Sequence, residues 1–214
     1  MLEFAMYEAK AAYFDANVDA PWAAAEYSPE EMTKLERLFD HTGPLQGLKV
    51  LEPGCGTGRL TKILSDRVGS SGFVVALDIS PQMVKAAKRR VGARSNVQIH
   101  LSPVESFPIK NEEYDLILCH QVFPHFENKE KALKILSSGL KTKGKFIVTH
   151  FINFREINDL HRKSGTAVEK DLMPEENEMK FLFYKAGLKV ETLFDDSLGY
   201  LLIANKRGQT HFQK

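Results

Sequence analysis

Buried apolar runs alternate with amphipathic stretches through most of the chain. Short runs of apolar and β-branched residues predict five strands, at 48–51, 73–78, 97–101, 114–120 and 146–150. Apolar residues at helical spacing predict helices after the first, second and fourth of these strands, at 57–68, from Ser80 onward, and at 129–140. Alternating strands and helices are typical of an α/β fold with a mostly parallel sheet.

The pattern changes at both ends of the chain. Residues 1–44 are rich in aromatic and acidic side chains, and Ser28 followed by Pro29 and two glutamates predicts a helix start. Residues 151–173 interrupt the strand and helix repeat with one amphipathic helix, and another helix is predicted at 174–186. The last two strands, 188–194 and 200–206, are joined by a DDSLG turn and predict an antiparallel hairpin.

A glycine-rich turn separates the first strand from its helix. The segment LKVLEPGCGTGR places Gly54, Gly56 and Gly58 where the backbone must turn and where a ligand could approach main-chain N–H groups. Asp78 ends the second strand, twenty residues after Gly58. An acid at that distance can accept hydrogen bonds from ribose hydroxyls. The pattern indicates a nucleoside site, although a nicotinamide cofactor or tight packing could also account for the glycines.

The run EPGCGTG at 52–58, together with LDIS at 77–80, resembles the class I S-adenosylmethionine-dependent methyltransferases over residues 45–206. The resemblance implies a Rossmann-like, doubly wound, seven-stranded mostly parallel sheet with an antiparallel C-terminal hairpin strand. It also implies S-adenosylmethionine as cofactor. In nicotinamide-binding Rossmann proteins the turn is normally GxGxxG, and an acid is not usual where Glu52 stands.

The resemblance carries over a set of expected cofactor contacts. These are Glu52, Gly54, Cys55 and Gly56 at the turn, Asp78 and Ile79 at the ribose, Met83, Val104 and Glu105 near the adenine, and His120. Met83 could equally belong to the core, and Glu105 could be a solvated loop acid. Relatives often have an aspartate where Pro103 stands, so adenine recognition would fall to backbone groups near Val104 or to Glu105.

Composition narrows the classes of partner and the cellular location. The chain has 29 basic and 28 acidic residues, which disfavours nucleic acid and anionic membranes as partners. Two separated cysteines form no disulfide framework, and no signal peptide or membrane span is recognised in the sequence. We therefore expect a cytoplasmic protein, monomeric or homodimeric, that acts on a small-molecule substrate.

We expect three further segments around the methyltransferase domain at 45–206. Residues 1–44 would form a helical preface, acting either as a lid over the cofactor or as an anchor in which Phe14 and Trp22 pack on the sheet. Residues 151–173 would be an inserted cap over the active site. Residues 207–214 would form a C-terminal tail.

Four of the seven histidines map to one edge of the predicted sheet. His120 and His150 end strands and are the first candidates for a general base, followed by His125 and His161. His41, His100 and His211 map elsewhere. Alternatives are that these four histidines merely pack, that they hold a metal ion, or that the chain binds S-adenosylmethionine or S-adenosylhomocysteine without turnover.

Overall fold

The computed structural model describes residues 7–207, and their seven strands form one sheet. The strands are β1 Lys49–Pro53, β2 Phe73–Asp78, β3 Val97–Leu101, β4 Tyr114–His120, β5 Leu140–His150, β6 Leu188–Asp196 and β7 Gly199–Lys206. Their order is β3-β2-β1-β4-β5-β7-β6, with the first five strands parallel and β7 antiparallel to both β5 and β6. The predicted Rossmann-like fold is confirmed.

Helices cover both faces of this sheet. They are α1 Glu8–Ala16, α2 Pro21–Ala24, α3 Pro29–Thr42, α4 Arg59–Val68, α5 Pro81–Val91, α6 Lys129–Gly139, α7 Phe154–Lys163 and α8 Glu176–Lys185. Leucines of α3 and α4 pack in one apolar cluster, whereas α6, α7 and α8 contribute to a second. The sheet separates these two cores, as expected for a doubly wound fold.

The helix that leads into the sheet begins where the sequence predicts. Ser28 accepts a hydrogen bond from the Glu31 amide, and the Glu31 carboxylate accepts one from the Ser28 amide. This capping box and Pro29 at the first helical position fix the start of α3. Buried Leu35 and Leu38 then hold α3 against the sheet, so the preface enters the core before β1 begins.

Strand β5 is longer than the sequence predicts. The apolar run suggests a start at Phe146, but the strand begins at Leu140, which pairs with Tyr114. A register shift between Tyr114 and Leu116 accommodates the intervening lysine-rich residues. Because the first half of β5 is polar and contains this irregularity, hydrophobicity alone does not predict it.

The strand order reverses direction between β1 and β4. From β1 the chain proceeds outward to β2 and β3, then returns to place β4 on the other side of β1. A crevice opens at such a switch point beyond the carboxyl ends of the strands. His120 and His150 are the last residues of β4 and β5 and therefore lie at these carboxyl ends.

No helix within residues 7–207 has the length and apolar character that crossing a bilayer requires. Residues 1–6 of the predicted preface, residues 208–214 of the predicted tail, and His211 lie outside the described part of the chain.

Candidate functional site

A cavity of about 460 Å³ occupies the crevice at the switch point. Its volume is within the range of small-molecule sites. It is lined by the glycine turn, the ends of β2 and β4, and residues of both the preface and the inserted segment. All the residues predicted as cofactor contacts line this cavity except Glu105.

The glycine turn is held in shape by its own backbone and by Asp78. The Gly56 amide donates to Asp78 Oδ2 at 2.8 Å, and the Ser80 amide donates to Asp78 Oδ1 at 2.9 Å. The Cys55 amide donates to the Leu77 carbonyl at 2.9 Å. The carboxylate therefore ties the turn to the end of β2 at the place where a ribose is expected.

Two buried acids lie under the turn. Burial raises the pKa of Glu52 to about 8, although a hydrogen bond from Thr61 opposes the shift. Burial likewise raises the pKa of Asp78 to about 6, against the hydrogen bonds from the Ser80 and Gly56 amides. Burial thus disfavours the charged form of both acids, and more strongly for Glu52 than for Asp78.

The segment after β3 lacks the aspartate that relatives often carry. Pro103 and Val104 line the cavity, together with Ile79 and Met83. Met83 is also buried in the fold, so both of its predicted roles are compatible with the structure. Glu105 instead accepts a hydrogen bond from the Tyr7 hydroxyl at 3.0 Å, which directs it to the preface. The geometry thus favours Val104 over Glu105 as the contact at this end.

The preface is hydrogen-bonded to the residues around the glycine turn and contributes side chains to the cavity lining. Thr57 donates a hydrogen bond to the Ala23 carbonyl, and Arg59 donates one to the Trp22 carbonyl at 2.7 Å. Asp15 accepts hydrogen bonds from the Ser80 hydroxyl and the Gln82 amide at the start of α5. Aromatic side chains of the preface line the cavity, namely Tyr7, Tyr13, Phe14, Trp22 and Tyr27. The preface therefore supplies one wall of the site.

The four candidate histidines, His120, His125, His150 and His161, all line the cavity, but they have different hydrogen-bond partners. The Nδ1 atom of His125 is 2.7 Å from Oδ2 of Asp171, and its imidazole centroid is 4.8 Å from that of His161. The Nδ1 atom of His161 is hydrogen-bonded to the Asp171 carbonyl oxygen. Asp171, which sequence reasoning missed, therefore orients both rings.

His125 and Asp171 form the arrangement of an oriented base. Burial lowers the pKa of His125, while the hydrogen bond and charge of Asp171 raise it in part. For Asp171, burial raises the pKa, but His125 and Lys10 outweigh it and hold the value below the ordinary range. A neutral His125 donates from Nδ1 to the carboxylate, which leaves Nε2 as the proton acceptor.

In the described part of the chain, neither His120 nor His150 is hydrogen-bonded to a carboxylate. Burial, with a smaller effect from Arg59, lowers the pKa of His120 to about 3. Burial and the neighbouring histidines hold the pKa of His150 well below its ordinary value. Gln121, directly after His120, has a φ of 54°, a left-handed conformation that is uncommon for a residue other than glycine.

Lys10 of the preface joins the His125–Asp171 pair to its surroundings. Its side chain is buried, and its ammonium donates to the His125 carbonyl at 2.8 Å and to Asp171 Oδ1 at 2.9 Å. It also pairs with Glu127 Oε1 at 2.7 Å. An ammonium has three donors, so Lys10 is fully satisfied by these oxygens. The sequence offers no signal for this residue, since it precedes Asp171 by 161 positions.

We expect Lys10→Met to lower the free energy of unfolding by about 3 kcal/mol, because it leaves the Asp171 carboxylate without its buried cation. Lys180→Met is the matched control, since Lys180 makes an exposed i,i+4 pair with Glu176 and should cost less than about 1 kcal/mol. Urea denaturation measures both. Equal effects of the two substitutions would contradict the structural role assigned to Lys10.

The geometry gives no support to the metal hypothesis. Among residues 7–207, no group of three or more His, Cys, Asp and Glu side chains is arranged to hold an ion. The Nδ1 atoms of His125 and His161 already have oxygen partners on Asp171.

Comparison with known proteins gives one consistent family. A model of the methyltransferase domain matches residues 44–193. The ubiquinone/menaquinone biosynthesis C-methyltransferase UbiE of Methylococcus capsulatus is 29% identical over 189 residues, covering 76% of this chain and 75% of that protein. The UbiE protein of Cronobacter sakazakii is 35% identical over 116 residues, covering 53% of this chain. The matched part of this chain spans 46% of the Cronobacter protein, about half of that protein's length.

A solved structure shows the same fold. The S-adenosylmethionine-dependent methyltransferase from Aquifex aeolicus has a TM-score of 0.63 at 22% identity, covering 84% of this chain and 97% of that one.

Proposed function

The chain belongs to the methyltransferase domain family, whose cofactor is S-adenosylmethionine, and we propose that its cavity binds this cofactor beside a small-molecule methyl acceptor. The observation that carries the proposal is the His125–Asp171 pair, which lies at the same cavity as the glycine turn. We further propose that His125 is the general base. Family membership sets aside the nicotinamide alternative.

The residues at the switch point suit an adenosyl ligand. A Cβ added at Gly56 would meet nothing within 4 Å, so the turn leaves open space on that side. Asp78 and the main chain of the turn can hold the ribose and the amino acid portion. Val104, Ile79 and Met83 supply an apolar surface suited to the adenine. When bound, the cofactor supplies a methyl carbon that its sulfonium makes electrophilic.

The chain's own groups would then align the acceptor and remove its proton. The residues of the cavity would hold the acceptor atom in line with the methyl carbon that the bound cofactor supplies. The acceptor proton passes to Nε2 of His125, and Asp171 stabilises the imidazolium through Nδ1–H. Alignment can contribute about 7 kcal/mol or more, and the base a further factor of roughly 100 or more.

The names of the relatives bear on which atom of the acceptor is methylated. The UbiE proteins carry the name C-methyltransferase, and carbon methylation also requires the loss of an acceptor proton. An oriented base therefore serves a carbon or a hydroxyl oxygen equally well. The proposal is a small-molecule acceptor that loses one proton as it gains the methyl group.

We expect Asp78→Ala to weaken S-adenosylhomocysteine binding at least about tenfold, which is roughly 1.4 kcal/mol. The substitution removes the acceptor of both the Gly56 and the Ser80 amides as well as the expected ribose contact. Isothermal calorimetry measures the affinity. Asp66→Ala, an acid paired with Arg94 far along α4, is the control and should bind as the wild type does.

Transfer of a labelled methyl group tests the function as a whole. The purified protein is incubated with methyl-tritiated S-adenosylmethionine and the small-molecule fraction of a cell extract. We expect label in one or a few compounds, absent when the protein is omitted. Binding of S-adenosylhomocysteine without any labelled product from a broad set of extracts would instead favour a binding module.

A further inference from the structure

The inner wall of the cavity carries two ring nitrogens that lack partners. His120 is 8% exposed and His150 is 6% exposed, and both line the cavity. Nδ1 of His120 and Nε2 of His150 are buried and have no hydrogen-bond partner among residues 7–207. Buried polar atoms in proteins are nearly always paired. These two atoms therefore point to a ligand that completes their hydrogen bonds.

Both rings are uncharged near neutral pH, since burial lowers the pKa of each. A neutral imidazole has one donor and one acceptor nitrogen. Nε2 of His120 lies 3.4 Å from the Gln121 side-chain amide nitrogen, which can only donate, so Nδ1 of His120 carries the proton. The matching ligand group must therefore accept a hydrogen bond, as a hydroxyl or a carbonyl oxygen does. A charged ligand group would find no opposite charge on either ring.

Three ionisable side chains elsewhere in the cavity lining already make polar contacts. Arg59 donates to the Trp22 carbonyl, pairs with Glu31 at 3.3 Å, and places its guanidinium carbon 3.8 Å from the Tyr27 ring centroid. Glu52 bonds Thr61, and Asp78 bonds backbone amides. The Glu31 carboxylate already balances the charge of Arg59, and Asp78 is assigned to the ribose. Nε of Arg59 is buried without a hydrogen-bond partner among residues 7–207, and as an N–H donor it also matches an oxygen atom of the ligand.

Aromatic rings form a row along the same cavity. Trp22 and Phe14 meet edge to face with centroids 6.4 Å apart, and Phe14 meets His125 in the same way at 5.1 Å. On the other side, Tyr27 lies 6.1 Å from the His120 ring, also edge to face. Such walls favour a flat apolar ligand, because ring edges and faces pack well against one another.

We infer that the methyl acceptor is an uncharged, oxygen-bearing aromatic compound whose hydroxyl or carbonyl oxygen binds His120 and His150. This inference rests on the proposed function of the cavity and adds the chemical class of the acceptor. It gives His120 and His150 a role in acceptor binding, separate from the proton transfer assigned to His125.

Three probes of equal ring size and different charge test the inference. The probes are 2-naphthol, 2-naphthoate and 2-naphthylmethylammonium, each titrated by calorimetry at pH 7 into protein saturated with S-adenosylhomocysteine. We expect 2-naphthol to bind at least about tenfold more tightly than either charged probe. His120→Phe and His150→Phe should each weaken 2-naphthol binding at least about fivefold. His150→Phe, which is not among the expected cofactor contacts, should leave S-adenosylhomocysteine affinity unchanged.

His41→Phe is the matched control, because His41 stacks on Phe194 and is absent from the cavity lining. Equal or tighter binding by a charged probe, or binding by none of the three, would overturn the inference even if S-adenosylhomocysteine binds normally. Failure of the wild-type protein to bind S-adenosylhomocysteine would overturn the proposed function and this inference together.

Discussion

Replacing His125 by Asn should lower the turnover of methyl transfer by at least about 100-fold, the usual contribution of a positioned general base. The Asn amide can occupy the place of Nδ1 and keep the hydrogen bond to Asp171, whereas nothing replaces Nε2. The variant therefore removes the proton acceptor and preserves the contact that holds the segment. Turnover with an acceptor identified by labelled transfer is the measurement.

Two controls separate catalysis from packing in the His125→Asn experiment. S-adenosylhomocysteine affinity should match that of the wild type, because His125 contacts the acceptor end of the cavity in the proposal. His100→Asn, on β3 beside Phe107 and outside the cavity lining, should retain full turnover. A His125→Asn variant that keeps more than half of wild-type turnover would remove His125 as the base.

Gly54→Ala should weaken S-adenosylhomocysteine binding at least about tenfold. Gly54 has a φ of +68°, and an added Cβ would lie 2.2 Å from Cγ2 and 2.6 Å from Cβ of Val122. A β-branched valine cannot turn both atoms away, so either the turn or the residues after β4 must move. Overpacking of this kind costs about 1–3 kcal/mol, enough to displace a backbone that must hold a ligand.

The matched control for Gly54→Ala is Gly92→Ala. Gly92 has nearly the same φ, +69°, but an added Cβ would meet nothing within 4 Å. Gly92→Ala therefore measures only the cost of placing alanine in a left-handed conformation, here at the end of α5. It should leave S-adenosylhomocysteine binding unchanged. Adding Val122→Ala to Gly54→Ala should restore part of the affinity. Wild-type affinity in Gly54→Ala alone would show that the turn is not the cofactor site.

The residues proposed to hold the cofactor at the turn and the ribose lie close together in the sequence. The glycine turn, the strand before it and Asp78 lie within about thirty positions of each other, and each has a physical signature. The start of α3 could be predicted because a capping box is confined to four residues. Local rules were sufficient wherever the interacting residues are close in the chain.

The acceptor half depends on contacts that no local pattern reveals. Asp171 lies 46 positions from His125 in an irregular segment, and Lys10 lies in the preface. From strand ends alone, His120 and His150 are the natural candidates for a base. Only the tertiary arrangement shows that His125 has the carboxylate, while His120 and His150 retain unpaired nitrogens. The roles proposed for the four histidines therefore rest on the folded arrangement and not on their spacing in the sequence.

The pH dependence of turnover tests the His125–Asp171 base most directly. The active form of His125 is neutral, so turnover should be constant above its pKa and fall as pH decreases through it. Since burial lowers this pKa, the midpoint of the decline should lie below pH 6.5. Asp171 raises that pKa, so Asp171→Asn should shift the decline to still lower pH and also reduce the plateau. A profile in Asp171→Asn that matches the wild type in both plateau and midpoint would contradict the account.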